Sequence, residues 1–166
     1  MGPLSLLGQA AAYILFAAFL GIFSVAPSIT YLGADRAVIK LSFSHAGDRV
    51  GPCRRLTPEE IAALPANMRR SEDCPRARLP LLVELKLDGE LATRRLLPPA
   101  GLHRDGASSV YQRFQVAAGK HRIVARLRDS ARSEGFDYER EAAVELAPGQ
   151  NFVVDFQAES GGFIFK

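Results

Sequence analysis

The sequence predicts a mostly β fold in which one N-terminal transmembrane helix precedes an antiparallel β-sandwich domain. Two observations carry this prediction. No charged side chain occurs between Met1 and Ala34, whereas every Lys, Arg, Asp and Glu lies from Asp35 onward. The rest of the chain has about seven short segments of alternating apolar and polar residues, separated by turn-forming residues. Strands do not alternate with long helices, as they would in a parallel sheet.

The apolar run Leu4–Ala26 has the length of a membrane-spanning helix. About 20 apolar residues cross a hydrocarbon core of about 30 Å, because each helical residue adds about 1.5 Å. A cleavable signal peptide is the alternative, but it usually begins with basic side chains, and Pro27 would follow the cleavage position here. We therefore expect a retained anchor over residues 1–34, embedded in the bilayer through residues 4–26, and a soluble domain over residues 35–166.

Small residues form a stripe along the predicted helix: Gly8, Ala11, Ala18 and Gly21. Their spacing places them near one helix face. Helices in lipid associate through close packing, which small side chains permit. These four residues are therefore candidate partner-binding positions, although small residues are also common in membrane helices that contact nothing.

Alternation is clearest in three segments: Val38–His45, Leu81–Asp88 and His121–Arg128. In the first, Ile39, Leu41 and Phe43 share one face, which is the two-residue period of a half-buried strand. Asp88-Gly89 is typical of a hairpin turn and predicts a partner strand over Leu91–Leu97. Further strands are predicted over Val110–Val116, Phe136–Leu146 and Phe152–Phe156. Short strands with such turns are typical of an immunoglobulin-like antiparallel sandwich.

A long insertion over residues 46–78 separates the first two predicted strands. Thr57, Pro58 and Glu60 predict one short helix, with Thr57 as N-cap and Glu60 closing a capping box. Cys53 and Cys74 bracket this helix. Their polar surroundings favour a disulfide over two unpaired thiols. In the chain-entropy model, such a bridge stabilises the fold by about 3 kcal/mol.

The side of the membrane on which the domain lies is indicated by two conflicting signals. Basic residues such as Arg36 and Lys40 follow the helix, and the positive-inside rule alone would place the domain in the cytoplasm. A cysteine pair in a β-rich domain favours an oxidising compartment instead. We expect a single-pass protein of the inner (cytoplasmic) membrane whose soluble domain is periplasmic.

Two polar or terminal segments are candidates for contact with a partner. The loop Pro98–Ser109 presents His103, Arg104 and Asp105 together, either for recognition or to brace the turn. The terminal Phe163 and Phe165 form a last strand or bury against another protein or the membrane.

Charges on the last strands predict a cross-strand ladder. Basic residues on one strand (Arg122, Arg126 and Arg128) face acidic residues on the next (Asp137, Glu139, Glu141 and Glu145). Arg140 departs from this pattern because its parity places it with inward side chains. It indicates a bulge or an inward partner such as Asp155.

The residues that carry chemistry are few. A Ser-His-Asp set would need a nucleophile elbow, which the sequence lacks, and no glycine-rich phosphate loop is present. No two of the possible metal ligands have a tight ligand spacing; they are His45, His103, His121, Cys53 and Cys74.

The net charge of +3 is not concentrated in a dense block of Lys and Arg with aromatic residues between them, so nucleic acid is not an expected partner. We expect no enzymatic activity, no cofactor, no bound metal and no small-molecule substrate.

The sequence therefore favours a non-enzymatic, membrane-anchored accessory, assembly or structural subunit of an integral membrane protein complex, such as a respiratory complex. One alternative is a periplasmic copper- or zinc-handling protein that uses the histidines or cysteines. Another is a sugar- or peptidoglycan-binding module, which the absence of Trp weakens.

The segment Phe114–Ser130, FQVAAGKHRIVARLRDS, resembles the strand–turn–strand unit of PEGA-like extracytoplasmic β-sandwich modules. The similar features are an apolar residue, small residues, a Gly and a basic start to an alternating strand. The resemblance covers less than a fifth of the chain. It implies a binding or scaffolding sandwich and carries no catalytic residues.

Overall fold

The structure is a computed structural model that describes residues 2–25 and 32–166. The chain divides into two compact units, residues 1–33 and 34–166. In the first unit, α1 spans Pro3–Val25 and is long and apolar enough to cross a membrane, a property that anchors and signal sequences share. The predicted end of the span at Ala26, and Pro27 after it, lie outside the described residues.

The second unit contains ten strands and one short α-helix. In chain order the elements are β1 (Arg36–His45), β2 (Arg54–Arg55), α2 (Pro58–Ala63), β3 (Glu72–Asp73), β4 (Leu81–Leu87), β5 (Glu90–Leu97), β6 (Ser108–Ala117), β7 (Gly119–Arg128), β8 (Tyr138–Leu146), β9 (Asn151–Gln157) and β10 (Gly162–Phe165). One four-stranded sheet has the order β10–β9–β1–β6, and the other has the order β5–β4–β7–β8. The prediction of a mostly β, sandwich-like domain with one short helix in a long insertion is confirmed.

The core contains the inward-facing residues of both sheets. Ile39 and Leu41 from the first sheet and Leu85, Ile123 and Leu127 from the second are fully buried. They occupy alternate positions along their strands because successive side chains of a strand point to opposite faces. The alternation in the sequence therefore identified the inner face of each of these strands.

One pairing departs from the expected antiparallel arrangement. β1 pairs with β9 in parallel, with Ile39 opposite Phe152, while its other neighbour, β6, is antiparallel. Parallel neighbours need a crossover connection rather than a tight turn. Here the chain between β1 and β9 includes the whole second sheet, so no local turn signal marks this pairing.

The predicted hairpin turn and the predicted helix cap are both confirmed. Asp88 and Gly89 both have positive φ values, 54° and 89°, as a two-residue type I′ turn requires, and Leu87 pairs with Glu90 across it. Thr57 caps α2 in a complete capping box with Glu60. Both motifs depend on neighbouring residues alone, which is why the sequence reveals them.

The charge ladder predicted between β7 and β8 forms at two of its three arginines, while Arg128 donates to the carbonyl oxygen of Ser133. Arg122 bonds Glu141 at 2.5 Å, and Arg126 bonds Glu139 at 2.9 Å. Arg140, however, does not pair with Asp155, which bonds Lys166 instead. Its guanidinium donates to the carbonyl oxygen of Phe163 at 2.6 Å and lies over the ring of Phe165. Arg140 therefore fixes β10 against β8, and the sequence-based suggestion of an Asp155 partner is wrong.

Candidate functional site

Residues 46–78 form a small lobe, here named the disulfide lobe. Its only regular ladder in the described chain is the pair β2–β3, in which Arg54 lies opposite Asp73 and Arg55 opposite Glu72. Cys53 and Cys74 stand directly beside this ladder and form a disulfide. The predicted bridge is thus present, and it closes the lobe around α2.

The connection between β5 and β6, residues 98–107, is here named the tip loop. Its backbone reverses direction through positive φ values at Gly101 (85°) and Arg104 (52°), and the N–H of Arg104 donates to the carbonyl oxygen of Gly101. The Gly106 N–H donates to the carbonyl of Ala100, and a side chain at Gly106 would approach that oxygen to 3.0 Å. The tip loop is therefore a tightly folded turn.

The disulfide lobe and the tip loop are distant in sequence but are joined in space by Arg78. Its backbone N–H donates to the carbonyl oxygen of Arg104 at 2.9 Å. Its guanidinium donates to the carbonyls of Asp105, at 3.2 Å, and Gly47, at 2.9 Å. A second contact is the ion pair between Arg76 and Asp105 at 2.9 Å. Both segments therefore belong to one continuous surface, here named the joint surface.

Apolar side chains lie exposed on the joint surface among these arginines. Leu102 at the apex of the tip loop is 94% exposed, and Leu96 at the end of β5 is 63% exposed. Beside Leu96 is a cleft of about 280 Å³ lined by Arg78, Pro80, Leu96, Pro98, Pro99 and Arg104. Single exposed leucines are common, but here Leu96 lines an apolar cleft with a basic rim, which is typical of contact sites.

The three tip-loop residues singled out by the sequence have different roles. Asp105 is half-buried and braces the loop through Arg76, and the Arg104 carbonyl is engaged by Arg78. The His103 side chain is exposed and makes no hydrogen bond with any residue in the described part of the chain. The bracing interpretation therefore holds for Asp105, and recognition through His103 stays a prediction.

Three residues of the joint surface were missed by sequence reasoning: Leu102, Arg76 and Arg78. A large apolar residue inside the polar loop PPAGLHRDG was a usable signal for Leu102. Arg76 and Arg78 carry no local signal, because their partners lie about 30 positions away in the chain, before or after them.

The C-terminal aromatics belong to the domain itself. Phe163 lies in β10, pairs with Phe156 of β9 and is 3% exposed. Phe165 packs partly buried against the same core and contacts Phe152. Of the alternatives open from the sequence, the last strand is the one observed. The assignment of Phe163 as a partner-binding residue is therefore corrected, since its ring is not accessible to a partner.

Two of the histidines are bound to carboxylates within the domain. His45 bonds Asp129 at 2.8 Å, joining the end of β1 to the end of β7 across the sandwich. His121 bonds Asp88 through Nδ1 and the Ala117 carbonyl through Nε2, so both its ring nitrogens are engaged. A metal ion would therefore have to displace a partner at either ring nitrogen of His121 and at Nε2 of His45.

Burial governs the titration of the carboxylate next to His45. Desolvation raises the pKa of Asp129, while the hydrogen bond from His45 acts in the opposite direction. The neighbouring Asp137 has a lowered pKa, despite a desolvation effect that raises it, because it accepts bonds from Ser130 and the Asp129 N–H and lies beside Arg132. This network ties the β7–β8 connection to the end of β1.

The ligand atoms of Cys53, Glu72 and Cys74 lie within 4.8 Å of one another. A thiolate is the form of cysteine that binds metals, and in this structure both sulfurs are joined in the disulfide. This group therefore offers one carboxylate and no thiolate.

Two glycines of the small-residue stripe of α1 have open space around them within this helix. A side chain added at Gly8 or Gly21 would meet no atom within 4 Å. Both positions therefore have room for larger residues in the isolated helix.

The segment Phe114–Ser130, which resembles PEGA-like modules, forms the end of β6, the turn at Ala118 and all of β7. It thus connects the two sheets, with β6 at the edge of one and β7 inside the other. No protein-family model, curated protein or solved structure matches this chain.

Proposed function

We propose that this chain is a membrane-anchored, non-enzymatic accessory subunit that acts by protein–protein contact through its joint surface. The observation that carries the proposal is the fixation of the tip loop on the disulfide lobe by Arg78, which leaves Leu102 exposed at the apex. Preorganised surfaces bind with a smaller loss of conformational entropy than mobile loops. A rigid apex with an apolar side chain and a basic rim suits a protein partner.

Membrane attachment and compartment are part of the same proposal. The helix α1 has the length and composition of a span, and the disulfide favours a compartment outside the cytoplasm. We infer a retained anchor in the inner membrane with the domain in the periplasm. The partner is then a membrane protein with a periplasmic segment that carries both acidic and apolar side chains.

The experiment that tests this proposal is site-specific photo-crosslinking in intact cells. A photoreactive residue replaces Leu102 in one full-length variant, and Tyr111 in a matched control. Tyr111 is 64% exposed on β6, so it offers comparable exposure outside the joint surface. We expect a discrete adduct with an integral membrane protein from position 102 and none from position 111. Equal yields from both positions, or no discrete adduct from 102, would contradict the proposal.

A variant with an added charge at Leu102 tests the proposed contact in a second way. Leu102→Glu places a carboxylate at the apex, where it opposes an acidic partner and removes the apolar contact. The exposed side chain has little role in folding, so the fold should be retained. We expect co-purification of the crosslinked partner to fall about tenfold or more, as the loss of a central apolar contact predicts. The matched control is Tyr111→Glu.

A further inference from the structure

We propose that the Cys53–Cys74 disulfide is a redox-active site, reduced by a dithiol protein that attacks the sulfur of Cys53. The proposal does not depend on the function of the joint surface. It rests on the unequal exposure of the two cysteines, on the charge around Cys74 and on the position of the bridge in the lobe.

The two cysteines differ in exposure to solvent. Cys53 is exposed, whereas Cys74 is half-buried. Thiol–disulfide exchange requires the attacking thiolate to reach one sulfur along the line of the S–S bond, so access selects the attacked atom. The sulfur of Cys53 is therefore the electrophile, and that of Cys74 is the leaving group.

The charge around Cys74 stabilises the leaving thiolate. A cleft of about 360 Å³ beside it is lined by Arg49, Arg70, Glu72, Asp73, Cys74 and Arg76. Arg70 is paired with Asp73, and Arg76 with Asp105. Arg49 instead donates to the carbonyl oxygen of Pro75 and has no carboxylate partner in residues 2–25 and 32–166. Glu72 brings a carboxylate oxygen within 4.8 Å of the Cys74 sulfur and opposes a thiolate there, but it is itself paired with Arg55 at 4.0 Å. The arginines of the cleft outnumber its carboxylates, so the charge of Arg49 leaves the lining net positive, which favours a thiolate on Cys74.

The reaction is a two-electron exchange with a dithiol. One thiolate of the reductant attacks Sγ of Cys53, the Sγ–Sγ bond breaks, and its electron pair stays on Cys74 as a thiolate. The second thiol of the reductant loses its proton and attacks the reductant sulfur of the mixed disulfide, which releases Cys53 as a thiolate. The cystine gains two electrons and the dithiol is oxidised to a disulfide. Protons from the two reductant thiols balance the step when both cysteines are protonated.

The position of the bridge gives the reduction a structural consequence. β2 and β3 are two residues each, and the disulfide stands next to them. A ladder this short has little stability of its own, because isolated two-stranded ribbons are marginal in water. Reduction therefore releases the outer part of the disulfide lobe while both sheets of the sandwich stay intact.

The first test uses glutathione as a monothiol probe on the purified full-length protein in mild detergent. The mixed disulfide is trapped by acid and located by peptide mass spectrometry. We expect the adduct on Cys53 in at least about fivefold excess over Cys74, since access selects the attacked sulfur. An excess on Cys74, or no adduct without denaturant, would overturn the proposal.

The second test measures the rate of reduction by dithiothreitol at neutral pH. Arg49→Gln removes the positive charge of Arg49 and should slow the reduction about three- to tenfold, because a leaving thiol of higher pKa departs more slowly. Arg49→Lys keeps the charge and should keep the rate within about twofold. The matched control is Arg69→Gln, which removes an exposed arginine of the same lobe that also donates to a backbone carbonyl. Equal rates for wild type and Arg49→Gln would sink the electrostatic part of the mechanism.

Discussion

The backbone N–H of Arg78 donates to the carbonyl oxygen of Arg104 at 2.9 Å, and this bond joins two segments that the sequence treats separately. Arg78 lies at the end of the disulfide lobe, and Arg104 lies in the tip loop in a left-handed conformation. Positive φ at a non-glycine residue carries a conformational cost that the surrounding contacts must offset. The contacts of Arg78 do so here, and the tip loop depends on the lobe for its conformation.

We expect Arg78→Ala to loosen the tip loop without unfolding the sandwich. The substitution removes two hydrogen bonds from a charged donor to backbone carbonyls, and such bonds contribute about 1.5–3 kcal/mol each in favourable cases. Part of this is recovered by water, so we expect a loss of about 1–3 kcal/mol in the free energy of unfolding. Denaturant titration measures the loss, and hydrogen exchange should show faster exchange at the Gly106 amide.

The control for this prediction is Arg54→Ala in the same lobe. Arg54 pairs with Glu60 on the surface, and exposed ion pairs contribute at most about 1 kcal/mol. If both variants change tip-loop exchange equally, Arg78 has no special role in joining the two segments.

Asp88 and Arg78 differ in how far along the chain their structural partners lie, and this difference decides which features the sequence predicts. The Asp88-Gly89 turn and the Thr57 capping box involve residues within three positions of each other, so composition and spacing suffice to find them. The inward residues of the strands follow from a strict two-residue period. Pairing across long distances has no such marker. The parallel β1–β9 pair and the contacts of Arg78 are of this kind.

The candidate site was predictable only in part for the same reason. The Pro and Gly residues around His103 marked a distinctive loop, and the two cysteines marked a closed lobe. That the two meet depends on where β5 and β6 lie relative to the end of β1, which is decided by the packing of the two sheets. Phe163 was assigned to partner binding because an apolar sequence at the C-terminus is equally consistent with a contact surface and with a buried last strand.

We expect the double variant Cys53→Ser/Cys74→Ser to be less stable by about 3 kcal/mol, because the open chain regains the entropy of a loop of about 20 residues. The sandwich core should persist, since none of its buried residues lies in the disulfide lobe. Denaturant titration gives the stability, and non-reducing mass spectrometry of the wild type should show a mass two units below the reduced form. An unchanged midpoint of unfolding would mean that the lobe is ordered without its bridge.

The pair His121–Asp88 should make stability depend on pH in a defined window. The hydrogen bond that His121 donates to Asp88 raises the pKa of His121 in the folded state, so this contribution is present below the unfolded pKa and is lost as pH rises through the folded pKa. Bonds from the Arg122 N–H and from His121 lower the pKa of Asp88, so its contribution is lost as pH falls through the folded pKa of that carboxyl. The pair therefore stabilises most between about pH 4 and 6.5.

The variant His121→Gln isolates this contribution. We expect the difference in unfolding free energy from wild type to be largest below the unfolded pKa of the imidazole, and to shrink as pH rises through its raised folded pKa, once the imidazole is neutral in both states. The change should not exceed about 1 kcal/mol, because Asp88 is half exposed to water. Urea titrations at several pH values measure it. If the difference in unfolding free energy between wild type and His121→Gln increases with pH, the prediction is wrong.

Membrane topology is tested by cysteine labelling in intact cells. The variant Tyr111→Cys adds one exposed thiol on β6, away from the disulfide lobe. We expect an impermeant maleimide to label it without lysis, because the proposed compartment for the domain is the periplasm. Labelling only after permeabilisation would place the domain in the cytoplasm, as the positive-inside rule alone suggests. A mature chain lacking α1 would instead show that the helix is a cleaved signal sequence.

The final prediction concerns the small-residue stripe of α1. Gly21→Leu adds a side chain where the protein has open space, so the isolated helix tolerates it and gains helix propensity. If the stripe packs against a partner helix, the added volume prevents close approach, and recovery of the partner crosslinked at position 102 should fall several-fold. The matched control is Phe16→Trp, which enlarges a residue on nearly the opposite side of the helix. We expect this control to leave partner recovery unchanged, with both variants inserted in the membrane at wild-type levels. If Gly21→Leu and Phe16→Trp retain the partner equally, α1 serves as a tether and the joint surface alone holds the complex.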